Sequence, residues 1–266
     1  MAYATNGTDG THIWFEDAGG HGAPTLLHGG LLDTVDLLRQ GAIAQALDDD
    51  EFRLILVDHR GVGRSDRPHG VEAYAMALRA ADAVAVLDVL GLERAHFIGT
   101  SYGARLGFGL GEHAPKRVRS LIMGGQQPYA INPEGPLFRL VTEGLARSVD
   151  VGTIEPFVAA LEESAGGRCI QEDIRAVYLE QDPVAMNATS SKMVSEGDIA
   201  PSLGSWQMPC LIFAVEEDSD FVDQARRASE EIPGAEFVLV PAAGHLASHL
   251  SHDVVLPAIL RSLRRG

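Results

Sequence analysis

The sequence holds only two cysteines, Cys169 and Cys210, too few for a disulfide framework or a cysteine-based metal cluster. Cys210 stands in the apolar run 209–215, where a buried and inert thiol is expected, while Cys169 in Gly-Gly-Arg-Cys-Ile has no such context. No stretch approaches the roughly 18 consecutive apolar residues of a membrane span. Bases are scarce as well, 21 Lys and Arg against 37 Asp and Glu, and the net charge of -16 repels nucleic acid and anionic membrane. Neither is therefore expected as a partner. The amino terminus has no basic patch followed by an apolar stretch, so a cytoplasmic location is the expectation. There is no Walker A sequence and no metal-spaced histidine cluster, which points to chemistry without cofactor or metal. Internal repeats and low-complexity linkers are also missing.

What remains is 45% hydrophobic and 22% charged, the composition of a globular protein with one substantial core or a core with an added lobe, as monomer or homodimer. Residues 11–16 and 25–30 read as strands separated by a Gly-rich break. A helix is predicted over 33–47 with a bend at Gly41, a strand over 52–57, a long helix over 72–90 and a strand ending at Gly99. A helix to about His113 and a strand over 118–123 follow. This alternation predicts an α/β fold with a mostly parallel sheet covered on both faces. After Gly125 the pattern changes to helical segments near 138–148, 154–164, 171–180 and 183–194. An interruption so much longer than a loop is read as a helical cap over 126–207, with 1–125 and 208–266 forming the core. Strands near 209–215 and 235–240 and helices over 222–231 and up to about Arg261 complete the chain.

Gly99-Thr100-Ser101-Tyr102-Gly103 ends an apolar strand and opens a small-residue helix, the context in which Gly-x-Ser-x-Gly forms a nucleophile elbow. A serine hydroxyl needs a base and an orienting acid to attack. In a parallel sheet these are sought at the carboxyl ends of strands. Asp218 follows one such strand and His245, in Gly244-His245, follows the next. The order Ser101, Asp218, His245 is that of the elbow hydrolases. Asp220 competes with Asp218, and Glu216 and Glu217 could reach the same space, but Asp220 is better placed to cap the following helix. For an oxyanion hole the donors are the backbone N–H groups of Tyr102 and of Gly30, in His28-Gly29-Gly30. His28 is read as structural, bonding backbone around the loop, and Leu31 as a pocket residue.

His28-Gly29-Gly30, Asp58-His59-Arg60-Gly61-Val62-Gly63-Arg64-Ser65-Asp66, the elbow, the run from Pro209 to Asp218 and Gly244-His245 occur in an order that resembles the alpha/beta-hydrolase superfamily. Its compact members related to carboxylesterases, enol-lactonases and cofactor-free haloperoxidases are the nearest in kind. The resemblance implies that Asp58 and Arg60 build a turn beside the pocket, that Ser101, Asp218 and His245 form the triad, and that 126–207 is a lid selecting substrates. Val215, Leu250 and Ala104 depart from the usual family residues at their positions. The expected activity is hydrolysis of a small-molecule carboxylic ester through an acyl-serine. Lactone or enol-lactone hydrolysis, carbon–carbon bond hydrolysis, perhydrolysis and a binding-only receptor are the alternatives. A carboxylate nucleophile, as epoxide or haloalkane hydrolysis would need, is excluded by Ser101.

Overall fold

A computed structural model describes residues 2–47, 51–164, 167, 170–218, 221–241 and 252–266. Cys169, Asp220 and His245 lie outside these described residues. Eight strands form one sheet in the order β1-β2-β4-β3-β5-β6-β7-β8. They are β1 (Ala2–Thr5), β2 (His12–Gly19), β3 (Ala23–His28), β4 (Phe52–Val57), β5 (Ala95–Thr100), β6 (Val118–Gly124), β7 (Cys210–Val215) and β8 (Glu236–Val240). The pairings β1·β2 and β2·β4 are antiparallel, and all pairings from β4 through β8 are parallel. The predicted α/β class with a mostly parallel sheet is therefore present.

Why these stretches became central strands is visible in their burial. All six residues of β7 are buried, as are five of six in β5, the continuous apolar pattern of strands covered on both faces. One face packs under α3 (Met76–Val89), α4 (Tyr102–His113) and α9 (Val222–Glu231), in a core that includes Phe97, Leu106, Met123 and Ile212. The other face, with Leu27, Ile98, Ile122 and Phe213, packs with Val35, Ile43 and the C-terminal helix His252–Leu263. The predicted helix over 33–47 does break at Gly41, into α1 (Val35–Gln40) and α2 (Ala42–Ala46). The predicted long helix starts late, because a 3-10 turn occupies Val71–Tyr74 before α3.

Between β6 and β7 run α5 (Pro136–Val151), α6 (Glu155–Ser164), α7 (Glu172–Leu179) and α8 (Pro183–Ser195). Their apolar stripes make a further cluster, with Val141, Leu145, Phe157, Val158, Leu161 and Met186 buried, joined by Leu32 and Val62 from the loops after β3 and β4. Gly152 ends α5 in the left-handed conformation (φ 76°), and Ser148 Oγ accepts from Phe157 N at 3.1 Å, which sets the α5–α6 corner. Among the described residues no helix is long and apolar enough to cross a membrane. Cys210 is buried, and burial pushes its thiol up to about 12, in keeping with the inert role expected of it.

Two interior histidines couple this fold to pH. His96 on β5 meets Ser120 Oγ on β6 at 2.8 Å, and burial together with Arg119 and Arg94 lowers it to about 4. Burial likewise lowers His59 to about 4. Both bind protons less well folded than unfolded, where histidine titrates near 6.5. Their stabilisation is complete above that value and is lost as pH falls toward 4. The unfolding free energy from denaturant titration should drop over this window by on the order of 3 kcal/mol per histidine. His96→Gln, which still reaches Ser120, should flatten that part of the profile, and an unchanged slope would contradict the assignment.

Candidate active site

Ser101 sits where β5 hands over to α4, with φ 50° and ψ -114°, and among the described residues it is the only non-glycine with positive φ. Such a conformation costs on the order of 1–3 kcal/mol and persists only where surrounding contacts impose it. Those contacts are identifiable. Ser101 N–H donates to Gly124 O at 2.7 Å, fastening the turn to β6, while Ser101 O accepts from Ala104 N at 2.9 Å and Arg105 N at 3.2 Å. Gly103 N–H donates to Gly29 O at 2.9 Å, which brings the first turn of α4 against the loop after β3. A Cβ at position 103 would lie 2.4 Å from His28 O, and one at position 99 would lie 2.3 Å from Gly103 O. Both glycines are thus required by backbone meeting backbone.

Tyr102 opens α4, so its N–H belongs to the first turn, where helical amides lack intrahelical acceptors. Its ring is buried and held from two sides. Arg79 stacks its guanidinium 3.8 Å from the ring centroid and donates to Tyr102 O at 3.3 Å, and the His59 ring lies 4.5 Å away. Burial pushes the phenol up to about 12. His59 continues to His28, with ring centroids 5.5 Å apart. Burial, then the neighbouring His59 and Arg79, hold His28 well below the usual imidazole range. The Nδ1 of His28 is buried without a hydrogen-bond partner, and the ring is held by a backbone hydrogen bond at Gly29, as the sequence led one to expect, and by packing on His59.

The loop after β3 holds Gly30 and Leu31. Gly30 N–H donates to Asp33 Oδ2 at 2.7 Å, and Asp33 N–H returns to Gly30 O at 3.2 Å. No described residue accepts from Leu31 N–H. Asp58, at the end of β4, is fully buried and accepts from Val35 N at 2.5 Å and Arg64 N at 2.9 Å, and burial raises its carboxyl above the ordinary value. It pins the turn that follows β4 to the start of α1. Arg60 in the same turn is fully buried and meets Asp82 through two bonds of 2.6 Å and Asp9 through one of 2.9 Å. Removing one member of so buried a network costs about 3–5 kcal/mol.

Asp218 follows β7, with N–H bonded to Val215 O at 3.0 Å and its carbonyl accepting from Phe221 N at 3.0 Å. It is buried, at 6% exposure, whereas Glu216 and Glu217 are exposed. Burial thus separates Asp218 from the two glutamates that the sequence left in competition with it. One apolar cluster joins the parts: Tyr102 of the elbow, Phe221 after Asp218, Ile131, Phe138 and Met193 from the segment between β6 and β7, with Leu31 packed against them. Phe138 and Phe221 meet edge to face at 5.8 Å. The structure therefore brings Ser101, Tyr102, Gly30, Leu31 and Asp218 to the carboxyl ends of neighbouring strands. His245 lies outside the described residues. Arg79, His59 and Asp33 were not singled out by sequence reasoning; the only signal was Asp33 at a turn spacing of three from Gly30.

The family profile described as alpha/beta hydrolase fold matches residues 24–251. The chain belongs to this family. A Caulobacter sp. (strain K31) protein assigned as carbamate hydrolase RutD is 29% identical over 221 residues, covering 80% of this chain and 81% of that one. Among solved structures, a hydrolase from Pseudomonas aeruginosa PA01 superposes with a TM-score of 0.82 at 24% identity, covering 98% of this chain and 97% of its own. The enol-lactonase from Burkholderia xenovorans LB400 gives a TM-score of 0.76 at 21% identity, covering 99% and 100%. These likenesses establish the α/β-hydrolase architecture in which the elbow sits.

The elbow's tolerance can be measured. Gly103→Ala in this α/β hydrolase should lower stability by about 3 kcal/mol, because the new methyl meets the carbonyls of His28 and Gly29 with no side chain free to yield. Thermal denaturation checks it, and a melting temperature within a degree of the parent would show that the loop can retreat.

Proposed function

We propose that this protein is a serine hydrolase that cleaves small carboxylic esters through an acyl-serine intermediate. The observation that carries the reading is the strained backbone of Ser101 at the amino end of α4 in a chain of the α/β-hydrolase family. Strain of this kind is kept where function uses it. Ser101 Oγ would attack the acyl carbonyl while His245 takes its proton and passes it to the leaving alcohol. Asp218 orients the imidazole and offsets its transient charge. Water, deprotonated by His245, then releases the acid and restores Ser101.

Charge developing on the carbonyl oxygen is assigned to the N–H groups of Tyr102 and Gly30. The Tyr102 amide is supported by the first-turn position and by the packing of Arg79 and His59 around its ring. The segment 126–207 is assigned as a cap, whose Ile131, Phe138 and Met193 share a cluster with Tyr102 and Phe221. Apolar walls of this kind favour short-to-medium or ring-containing acyl groups, by about 1–3 kcal/mol per methylene that fits. A second reading, cleavage of a carbamate by the same residues, is favoured by the relative assigned to that activity. Both readings need no cofactor.

Ser101→Ala should lower turnover of p-nitrophenyl esters by a factor on the order of 10^4 or more without loss of fold. Ser101→Gly, equally inactive, should be more stable than Ser101→Ala by about 1 kcal/mol, since glycine adopts the positive φ without strain. Comparable turnover in Ser101→Ala would sink the nucleophile assignment. Asp218→Asn should reduce turnover far more than Asp220→Asn, and the reverse order would transfer the orienting role to Asp220. A kinetic panel of esters, lactones and carbamates decides among the substrate readings.

A further inference from the structure

The loop after β3 is tied to the segment between β6 and β7 by a polar link that the chemistry above does not use. Asp33 Oδ2 accepts from Gly30 N–H at 2.7 Å, and Asp33 Oδ1 accepts from the Tyr178 hydroxyl at 3.1 Å. Tyr178 stands on α7, 145 residues further along the chain. Beside this link, Leu32 is buried in the apolar cluster of Val141, Leu145 and Phe157, and Leu31 packs against it. The polar and apolar attachments of the loop to these helices therefore converge on residues 31–33. Among the described residues no Lys or Arg forms an ion pair with Asp33; its carboxylate accepts from the Gly30 amide and the Tyr178 phenol, with the buried His59 ring close enough to feel its charge.

We propose that Asp33 is a positioning residue, clasped by Tyr178, whose carboxylate occupies the Gly30 N–H until the oxygen of a bound substrate displaces it. The proposal rests on the assignment of Gly30 as an oxyanion donor. One N–H cannot serve two anions well, and a carboxylate left beside a tetrahedral oxyanion would repel it. Resting and reacting states thus need different partners for the same donor. In the resting state Asp33 satisfies an amide that would otherwise face an apolar cluster. In the reacting state Tyr178 retains the other carboxylate oxygen and fixes how far Asp33 can withdraw. The position of α7 and the availability of the donor are coupled through this one carboxylate. The helices between β6 and β7 would then control reactivity as well as acyl shape.

The test uses the full-length protein with Asp33→Asn, Asp33→Ala and Tyr178→Phe, an aryl boronic acid that forms an anionic tetrahedral adduct on a reactive serine, and p-nitrophenyl butyrate as substrate. Asp33→Asn keeps the shape and removes the charge. It should tighten boronate binding at least fivefold and raise kcat while KM stays within twofold. Tyr178→Phe should move both in the same direction by about twofold. A merely structural turn residue predicts the opposite sign: weaker boronate binding, lower kcat and a lower melting temperature in Asp33→Asn, and that result overturns the proposal. Unchanged boronate affinity in both variants also overturns it and moves the donor role to Leu31 N–H. Should Asp33→Ala fail to fold, the Asn and Phe variants carry the test. Fluorophosphonate labelling of Ser101 separates the two levels of the argument. Labelling with unaltered boronate affinity removes the clasp alone, whereas absence of labelling in parent and variants removes the serine reading and the clasp with it.

Discussion

The site depends on how closely the first turn of α4 approaches the loop after β3. The bond from Gly103 N to Gly29 O, 2.9 Å long, forms only because no side chain stands between the two backbones. That contact, together with the bond from Ser101 N to Gly124 O on β6, leaves the residue between Thr100 and Tyr102 no relaxed conformation. The positive φ of Ser101 is therefore a consequence of packing on both sides of β5, and it costs a small fraction of the core's total stabilisation. Register carries the constraint outward. His28 pairs with Gly99 and Thr100 with Gly124, so the carboxyl ends of β3, β5 and β6 lie level and the loops that follow them meet.

Around this junction the polar side chains are neutral where burial makes them so. Burial holds His28 and His59 unprotonated, and it pushes Tyr102, a phenol already neutral at pH 7, further up. The adjacent cation is Arg79, stacked on the Tyr102 ring. A layer of neutral rings with one cation behind it screens charge poorly, so an anion forming above it would feel the α4 amides and Arg79 at greater strength than in water. The acidic exterior, with net charge -16, lies outside this layer and is screened by solvent.

Most of the fold was legible because its elements are strongly periodic and sharply punctuated. The strand β7 is a continuous apolar run and β4 is one broken only by Arg53, α4 starts at the elbow, and Gly41 divides α1 from α2 as its position suggested. β1 was missed. It has four residues, shows one buried side chain and acquires its register only by pairing with β2, an edge contact that local pattern does not announce. At the site, the elbow and the strand ends could be read from motif and spacing. The burial of Asp218 against the exposure of Glu216 and Glu217 could not be read there, being a tertiary property. Nor could the bond between Asp33 and Tyr178, which joins residues far apart in a chain whose local patterns say nothing of each other. Arg79 escaped for the same reason: on α3 it reads as one more base on a helix, and its meaning comes from Tyr102 on α4.

Where the extra helices enter the sheet has a mechanical consequence. They leave from the end of β6, next to the elbow strand, and return to β7, the strand that Asp218 follows. Ile131, Phe138 and Met193 consequently share a cluster with Tyr102 and Phe221, and Leu32 and Leu31 anchor the loop after β3 in the neighbouring cluster. Close-packed clusters transmit changes of a methylene, so a substitution at Phe138 is felt at Tyr102 and one at Leu145 at the loop bearing Gly30. Helices inserted at a remote edge of the sheet could drift in sequence without disturbing the elbow. These share clusters with Tyr102 and with the loop after β3, so a change in their apolar residues bears on the packing at both places.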